Sequence, residues 1–343
     1  MSRVDDLKVM LGPIGKSIEL EVYKSKFFAK HLNQEEKMNR IKSIKCGNEF
    51  KVFESDYTGW ESVFNREFMN ATDMALFRHF LDDATYEKVE KVIMGKDSLY
   101  CNGVTAKCSC FRKSGEMFTS LCNGFANLSL TLFLIWLKLD RPDISELMLH
   151  YDGVVEGDDQ LASTDVKLCA EDYSKLGVVI KMEWHDFPSE ASFCGLMFAD
   201  SGEVIRDPLR FAQKFGWVHS YLTSSESVMN ELLRAKSLSA VYETPQCPIV
   251  GALARLGLVR TRGCNPRFIY DGYHQVIPDE FDIPIYNPNS DTRALFSKVY
   301  GITVGQQIQL EREIAVGDLS NVAAVLNAPH EFEVYGSRYC FVA

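Results

Sequence analysis

Residues Tyr151–Ser163, YDGVVEGDDQLAS, contain a Gly-Asp-Asp triplet between two short apolar runs. Because glycine accepts the positive φ of a tight turn, this pattern predicts a β-hairpin with Gly157 in its turn. The turn would present the adjacent carboxylates of Asp158 and Asp159. Adjacent carboxylates repel each other, and proteins that keep them in a cleft usually neutralise them with a divalent cation bound by oxygen ligands. The triplet alone is also compatible with a solvated turn, so its meaning depends on the rest of the chain.

The composition is that of a folded protein with a large core. Of the 343 residues, 46% are hydrophobic and 24% are charged, which suits roughly two or three subdomains. The net charge of -10 argues against nucleic-acid binding through the whole surface, but not against a polymerase with one basic channel. The ten cysteines form no CxxC pair and have no histidine at metal-ligand spacing, so we predict reduced, mostly buried thiols.

One uncharged stretch, residues 117–137, is long enough to cross a bilayer. No basic cluster flanks it closely, and polar residues interrupt it, so we predict a helix buried in the core and no transmembrane segment. The first ten residues are charged and lack the apolar region of a secretory signal. The polar residues that interrupt the uncharged stretch 117–137 are Thr119, Ser120, Asn123, Asn127, Ser129 and Thr131.

The periodicities along the chain predict an α+β fold, with a mixed sheet and helices on one of its faces. Phe50–Ser55 alternates as a half-buried strand does, and it delivers Asp56 at its end. The pattern from Arg206 onward is mainly helical. Further helices are predicted at 60–81, 86–95 and 165–176, strands at 178–182 and 192–198, and irregular or strand structure at 100–111.

Two groups of basic residues are candidates for contacts with phosphates, one within residues 37–45 and one within 255–267. A charge run of this kind is more often a solvated face, and both interpretations stay open at this point. The groups are Lys37, Arg40, Lys42 and Lys45, and Arg255, Arg260, Arg262 and Arg267.

Four acidic residues fit the chemistry of nucleotide joining. In-line displacement at phosphorus is stabilised by two magnesium ions about 4 Å apart, held by carboxylates from different strands. Asp56 at a strand end and Asp158 at a hairpin turn are candidates for that pair, with Asp159 as a third ligand. Glu61 lies five residues after Asp56 and could face the same cleft.

A second group of polar residues is suited to reading a ribose. Selection of RNA over DNA needs polar groups that bond the 2′-hydroxyl. Thr119 and Asn123 are one helical turn apart and therefore share a face of the predicted helix. Ser114 and Gly115 give this helix a flexible entry.

Five motifs resemble, in order and approximate spacing, the palm motifs of RNA-dependent RNA polymerases of positive-strand RNA viruses. The most specific is the SGxxxTxxxN pattern, followed 42 residues after its glycine by the Gly-Asp-Asp turn. Val9–Tyr23 looks like the segment after the basic finger motif in tombusvirus-like and nodavirus-like polymerases. The motifs are FESDYTGWE (Phe53–Glu61), SGEMFTSLCN (Ser114–Asn123), EGDDQ (Glu156–Gln160), KLGVVIK (Lys175–Lys181) and SFCGL (Ser192–Leu196).

The resemblance implies a right-hand polymerase, with a mixed or antiparallel palm sheet, that copies an RNA template from nucleoside triphosphates, releases pyrophosphate and uses two Mg²⁺ or Mn²⁺ ions. It also implies other viral replicase segments as partners, in membrane-associated replication complexes of the host cytoplasm. The implied subdomains are partial fingers in 1–49, a palm in 50–200 with a fingers insertion at about 70–112, and a thumb with a C-terminal tail in 201–343.

The family's functional residues carry over by position. Lys181 would protonate the pyrophosphate leaving group, although an ordinary exposed strand residue is the alternative there. For Thr119 and Asn123 the alternative is satisfied polar residues inside a buried helix. The implied sets are Asp56, Asp158 and Asp159 for the metals; Glu61, Ser114, Gly115, Thr119, Asn123 and Arg3 for nucleotide and template; and Phe193, Cys194 and Gly195 as a strand supporting the growing 3′ end.

Two departures from the family pattern stand out. Glu61 occupies a position where the family usually has aspartate, so the acid is kept but reaches farther. The basic finger motif would lie just upstream of residue 3, and Arg3, Lys8 and Lys16 are what remains of it. We therefore expect the C-terminal part of a larger replicase, or a truncated reading frame, whose activity alone is open.

Three other functions compete with this prediction. A reverse transcriptase shares the palm, but generally carries an aromatic residue where this chain has Glu156, and lacks the Ser114–Asn123 pattern. An inactive, polymerase-shaped protein would be expected to lose some of the carboxylates that are all present here. A general metal-binding or structural protein leaves the order of the motifs unexplained.

Overall fold

The computed structural model describes residues 5–101, 103–114, 116–217, 221, 223–268, 282–322, 331–334 and 337–340. Two of the predicted site residues, Arg3 and Gly115, lie outside these ranges. The chain divides into two compact units, Met1–Cys194 and Gly195–Ala343.

The first unit combines helices with antiparallel strands. Its strands are β1 (Lys51–Tyr57), β2 (Lys96–Cys101), β3 (Val104–Ser109), β4 (Tyr151–Glu156), β5 (Asp159–Thr164), β6 (Ile180–His185) and β7 (Ser192–Phe193). Its α-helices are α1 (Asp5–Val22), α2 (Gln34–Lys42), α3 (Arg66–Met69), α4 (Ala75–Phe80), α5 (Asp83–Ile93), α6 (Thr119–Lys138), α7 (Ile144–Leu147) and α8 (Ala170–Ser174).

A four-stranded sheet in the order β4-β5-β1-β6 is the centre of the first unit. The hairpin predicted around the Gly-Asp-Asp triplet is confirmed, since β4 pairs with β5 on either side of it. Each neighbouring pair in this sheet is antiparallel, so of the mixed and antiparallel palm sheets that the prediction allowed, the structure has the antiparallel one. A tight turn joins β4 to β5, whereas β1 pairs with two strands that lie far from it in the chain.

The core of the first unit lies between this sheet and α6. Phe53 and Tyr57 of β1 and Tyr151 of β4 belong to one buried cluster with Leu121 and Ala126 of α6. Among the described helices, α6 is the one long and apolar enough to cross a membrane by composition. In this structure it is a core helix, as predicted from its polar interruptions, with 61% of its most apolar window buried.

Two predicted helices are shorter or more broken than their periodicity suggested. The segment predicted as one helix from Trp60 consists of a 3₁₀ turn, α3, a π turn at Asn70–Met74 and α4. Asn65 interrupts it, because its extended backbone and its side-chain bond to the Phe68 amide form an N-cap. The helix predicted at 165–176 is reduced to α8, and Gly177 follows with φ 77° in the predicted capping position.

The second unit is mainly helical, as predicted. Its buried cluster includes Ile249, Val250, Phe296, Leu310 and Ile314. Its elements are β8 (Leu196–Phe198), β9 (Val204–Arg206), α9 (Pro208–Lys214), α10 (Glu226–Glu243), α11 (Val250–Arg260), α12 (Ser290–Tyr300), α13 (Val304–Ala315), β10 (Glu331–Val334) and β11 (Ser337–Cys340).

The basic group of the second unit does not form one shared phosphate-binding face. Arg255 donates to the carbonyls of Pro245, Gly251 and Pro284, so its guanidinium closes loops inside the unit. Arg267 pairs with Glu231 at 2.8 Å. The phosphate-contact prediction was therefore wrong for Arg255, because its donors are already used by backbone oxygens.

Candidate active site

Adjacent strands bring the predicted acidic residues to one end of the sheet. The register pairs Ser55 of β1 with Gln160 of β5, and the next residues toward that end are Asp56 and Asp159. Asp158 precedes β5 in the turn, where Gly157 has φ 64°. All three aspartate side chains are exposed. The antiparallel pairing thus gathers carboxylates that are about one hundred residues apart in the chain, as expected from pairing geometry.

The electrostatics of the turn indicate that these acids influence one another. Loss of hydration, followed by the charges of Glu61 and Asp56, raises the pKa of Asp158. Loss of hydration and the neighbouring Asp158 raise the pKa of Asp159 to about 6. Glu61 is therefore close enough for its charge to act on the Asp158 carboxyl, while its predicted place in the same cleft stays a prediction. A cleft in which negative charge is disfavoured is one where a divalent cation would stabilise the ionised carboxylates.

Lys181 lies directly across from Asp56 in the pairing of β1 with β6. Residues directly opposite in an antiparallel pair share a face of the sheet. The Lys181 side chain is 72% exposed and pairs with Glu183. This hydrogen bond raises the pKa of Lys181, so its ammonium is protonated at neutral pH. Its position beside Asp56 fits a proton donor, while its exposure fits the ordinary surface residue that was the alternative.

The segment predicted to contact the nucleotide, Ser114–Asn123, leads into α6 and includes its first turn. Ser114 is exposed in a turn, and the Thr119 hydroxyl donates to the Lys113 carbonyl at 2.9 Å. Thr119 therefore closes this turn, which is the structural role that had been the alternative to ribose reading. Asn123 is 3% exposed, and its Oδ1 has no hydrogen-bond partner among the described residues. A buried amide oxygen with an unused lone pair is suited to accept a hydrogen bond from a ribose hydroxyl.

Asn127, which the sequence analysis had treated only as a polar interruption, is hydrogen-bonded to the Gly-Asp-Asp turn. Its side-chain amide Nδ2 donates to the Asp158 carbonyl at 3.0 Å and lies 3.3 and 3.4 Å from the carbonyls of Gly157 and Asp159. The Tyr57 hydroxyl, next to Asp56 in β1, donates to Asn127 Oδ1 at 2.9 Å. One buried side chain thus joins the strand that carries Asp56 to the turn that carries Asp158.

The same polar stripe continues one turn farther along α6. Thr131 donates to Gln160 Oε1 at 3.1 Å, and Gln160 donates to the Tyr151 hydroxyl at 3.1 Å. Asn127 and Thr131 had been interpreted only as interruptions of an apolar run. Their spacing of four and eight residues from Asn123 was the available signal, because it places all three residues near one face of the helix.

Two residues of the first basic group, Lys37 and Arg40, form ion pairs inside the protein, whereas Lys42 and Lys45 are exposed. Lys37 Nζ lies 3.0 Å from Glu156 Oε2, and Arg40 Nη2 lies 2.7 Å from Asp152 Oδ1. For these two residues the predictions of phosphate contact and of a solvated face were both wrong. Glu156 is directly opposite Asp159 in the β4–β5 register, so Lys37 balances charge behind the acidic turn.

The segment Phe193–Gly195 is not the continuous strand that was predicted. Cys194 and Gly195 have φ 52° and 72°, which is left-handed backbone that ends β7 after Phe193. Tight turns with positive φ at both central residues are incompatible with an extended strand. The Phe193 side chain is 1% exposed. The Cys194 side chain hydrogen-bonds Asp159, which lowers the pKa of that carboxyl against the larger effects that raise it.

A buried ion pair anchors the backbone just before Ser114, the first residue of the segment predicted to contact the nucleotide. Arg112 Nη2 donates to both carboxylate oxygens of Asp73, at 2.8 and 2.7 Å, and the side chains are 1% and 0% exposed. The next residue, Lys113, is 4% exposed and pairs with Asp97 of β2. These interactions fix the backbone that leads into Ser114.

Among the described residues, Glu54, Glu183 and His185 form a group that could hold a metal ion, with ligand atoms within 4.8 Å of one another. This group does not include the three predicted aspartates. Glu54 and Glu183 are directly opposite in the β1–β6 register, so the group shares the Asp56 face. Lys181 already provides a counter-charge to Glu183. The three predicted aspartates offer carboxylate oxygens, which are the ligands that Mg²⁺ prefers.

Comparison with known proteins gives one result for this chain. The model of the family described as viral RNA-dependent RNA polymerase matches residues 35–240. The matched range contains the sheet, the Gly-Asp-Asp turn, α6 and part of the second unit. No curated protein matches the chain.

Proposed function

Since the chain belongs to the viral RNA-dependent RNA polymerases, which synthesise RNA on an RNA template in viral replication, we propose that it uses Asp56, Asp158 and Asp159 to hold two Mg²⁺ or Mn²⁺ ions. Bound metals would supply charge stabilisation to the attacking and leaving oxygens at phosphorus. The chain's own contribution is to hold these carboxylates at one end of an antiparallel sheet.

The observation that carries this proposal is the register of β1 with β5, which places Asp56 beside Asp159 at one end of the sheet, next to Asp158 in the turn. Asp158 feels the charges of Asp56 and Glu61, and Asp159 feels the charges of Asp158 and Asp56. A structural turn has no need to collect like charges, which destabilise each other unless a cation or a proton neutralises them. Family membership disfavours a reverse transcriptase, while a catalytically inactive member remains an outcome of the test.

The test is RNA-templated extension with Mg²⁺ or Mn²⁺. Asp56→Ala and Asp158→Ala are expected to lower the rate by at least about 100-fold, because several kcal/mol of charge stabilisation depend on the metals. Asp186→Ala is the matched control, since the Asp186 side chain is 65% exposed and pairs only with Lys51 among the described residues. The same comparison is made in a version extended upstream.

Extension that is unchanged by Asp158→Ala in either version would contradict the two-metal assignment. Absence of extension by both unsubstituted versions would favour the inactive member of the family. Mn²⁺ binding followed by electron paramagnetic resonance separates these outcomes, because it reports occupancy of the site without requiring catalysis.

The proposal extends to residues that meet the substrate. Asn123, with its buried acceptor oxygen, and Glu61 would select the ribose 2′-hydroxyl, with Ser114, Gly115, Thr119 and Arg3 as the remaining contacts to nucleotide and template. Asn123→Ala is expected to reduce the preference for ribonucleotides over deoxyribonucleotides by about tenfold, the worth of one hydrogen bond to a substrate hydroxyl. An unchanged ratio of the two kcat/KM values would remove Asn123 from this role.

Lys181 is proposed as the proton donor to pyrophosphate, supported by its position opposite Asp56. Lys181→Arg should keep part of the extension rate, because the arginine side chain is protonated and can donate a hydrogen bond to pyrophosphate. Lys181→Met should lose this contribution, because methionine has no proton to donate. Equal rates for Met and Lys at this position would assign Lys181 to the exposed surface. The turn at Cys194 and Gly195, with Phe193 behind it, is proposed to support the growing 3′ end.

The right-hand layout is also part of the proposal, with partial fingers in 1–49, a palm in 50–200 containing an insertion at about 70–112, and a thumb with its tail in 201–343. Its support is that the motif-bearing sheet lies in the unit Met1–Cys194 and that the unit Gly195–Ala343 is mainly helical. Ultraviolet crosslinking of bound RNA is expected to label all three segments. Labels confined to the palm would contradict the layout.

The tombusvirus-like and nodavirus-like branch is proposed from the resemblance of Val9–Tyr23. With that branch we propose a location in the host cytoplasm, within membrane-associated complexes that contain other replicase segments. Flotation of cell extracts tests the location. Recovery of the chain with membranes is expected when the other segments are co-expressed, and a wholly soluble chain under those conditions would contradict it.

A further inference from the structure

The two-stranded ribbon formed by β2 and β3 has one face made entirely of exposed, non-acidic residues. The register pairs Lys96 with Ser109, Ser98 with Lys107, and Tyr100 with Thr105. Directly opposite residues lie on the same face, and alternate residues along a strand return to it. All six of these residues are exposed, and Tyr100 is 77% exposed. We refer to them as the outer face of the ribbon.

Near the base of the ribbon, the other face is turned toward the protein, whereas Val104 and Ala106 farther out on that face are exposed. Asp97, Leu99 and Cys108 are half-buried, and Asp97 pairs with the buried Lys113. The base of the ribbon is held as well, because the Cys110 thiol donates to the Met94 carbonyl at 2.9 Å. The ribbon is thus tied to the segment that leads into Ser114 and α6.

The outer face has the chemistry of a surface for single-stranded RNA. Two lysines provide positive charge without a carboxylate on that face, in a protein whose net charge is -10. Neither Lys96 nor Lys107 forms an ion pair with another residue in the described part of the chain. Lys107 lies diagonally across from both Lys96 and Tyr100, so charges and ring form one continuous strip. Exposed aromatic rings stack on unpaired bases, and lysines bind the phosphates between them.

We propose that the outer face of the β2–β3 ribbon binds the single-stranded RNA template before it reaches the catalytic cleft, with Tyr100 stacking on a base and Lys96 and Lys107 contacting phosphates. This deepens the polymerase function, on which it rests, by assigning a template-binding surface outside the cleft. A duplex offers no unpaired base to Tyr100, which favours single strands over double strands. The charge of the two lysines favours nucleic acid over a protein strand added to the ribbon edge, since edge lysines disfavour such pairing.

The test is fluorescence anisotropy of labelled single-stranded oligo(U) with the full chain, without metal or nucleotides. Tyr100→Ala is expected to weaken binding about tenfold, and Tyr100→Phe to keep it, because the ring alone provides the stacking. Val104→Ala is the matched control, since Val104 is 68% exposed on the opposite face. In Lys96→Ala/Lys107→Ala the slope of log Kd against log salt should fall by about 1.4, or about 0.7 for each phosphate that a lysine no longer neutralises.

A labelled RNA duplex provides the second arm, on which Tyr100→Ala should have no effect. The proposal is overturned if Tyr100→Ala binds oligo(U) like the unsubstituted chain, if the salt slope of the double lysine variant is unchanged, or if the unsubstituted chain does not bind oligo(U). Equal weakening on the single strand and the duplex would also overturn it, because it indicates charge without stacking. The binding assay contains neither metal nor nucleotides, so a failure of the metal mechanism leaves this result unaffected.

Discussion

The side-chain amide of Asn127 donates a hydrogen bond to the carbonyl of Asp158 at 3.0 Å. Asn127 is 0% exposed and lies on the core helix, whereas Asp158 lies in an exposed turn. The core helix therefore holds the backbone of the turn that carries Asp158 and Asp159. If these carboxylates bind metal, as proposed, Asn127 would orient them from behind, and such orienting groups strongly affect metal affinity.

Removal of the Asn127 amide is expected to lower both the unfolding free energy and the affinity for the metal ions on which polymerase activity depends. Asn127→Leu keeps the branched shape of the side chain but removes the amide partner of the Asp158 carbonyl and one partner of the Tyr57 hydroxyl, at a cost of about 1–3 kcal/mol in unfolding free energy. Loss of ligand orientation should reduce Mn²⁺ affinity about 10- to 100-fold. Urea unfolding and metal titration measure the two effects. Tyr57→Phe is the control, because it removes one hydroxyl and leaves the amide on the turn.

If Asn127→Leu lowered stability but left metal affinity at the level of Tyr57→Phe, Asn127 would be a packing residue and not a positioning residue.

Metal binding is expected to weaken as the pH falls through about 6, the raised pKa of Asp159. The protonated carboxyl cannot serve as a ligand, so protons compete with the cation. In the metal-free protein the unfolding free energy is expected to change in the opposite direction and to increase as the pH falls from about 6 toward 3.8. In this range the folded protein binds a proton on Asp159 that the unfolded chain does not bind. Mn²⁺ titrations across this range measure the first effect, and urea unfolding without metal measures the second.

Glu156→Gln should move the midpoint of the metal-binding curve to lower pH. The charge of Glu156 is one of the causes that raise the pKa of Asp159, and the substitution removes it while leaving Lys37 charged. A midpoint that stays where it is in the unsubstituted chain would mean that Glu156 does not influence the turn.

Breaking the Arg112–Asp73 pair should destabilise the first unit by about 3–5 kcal/mol, because one uncompensated charge remains buried. Asp73→Leu and Arg112→Met each test this by urea unfolding. The double variant Asp73→Leu/Arg112→Met should recover most of the loss, since apolar pairs can replace buried ion pairs. A double variant with a loss equal to the sum of the single losses would contradict the interpretation.

Two glycines of the central hairpin should respond differently to substitution. A Cβ at Gly153 would lie 2.4 Å from the Cβ of Ala162 and 2.8 Å from the Leu161 carbonyl oxygen, so Gly153→Ala should cost about 1–3 kcal/mol in unfolding free energy. Gly157 has open space around it and requires only a positive φ, which asparagine accepts. Gly157→Asn should therefore be milder than Gly153→Asn. Urea unfolding of these variants decides, and the reverse order would contradict the steric argument.

The sequence by itself determined the elements whose signals are local. The hairpin at the triplet follows from glycine and alternating apolar residues, and the core helix follows from a long uncharged run. The order of the motifs also determined the polymerase family, because those residue types recur at fixed spacing. Asp56, Asp158 and Asp159 were identified in this way before any geometry was known.

Only the tertiary structure decided which polar residues support the site. Asn127 and Thr131 are interruptions in the sequence, yet they become partners of the turn because α6 packs against the sheet. Lys37 and Arg40 have the sequence pattern of a solvated or phosphate-binding run, yet acids from distant strands bind them. Periodicity reports which residues share a face, but a buried polar group is explained only by its partner, and long-range packing chooses that partner.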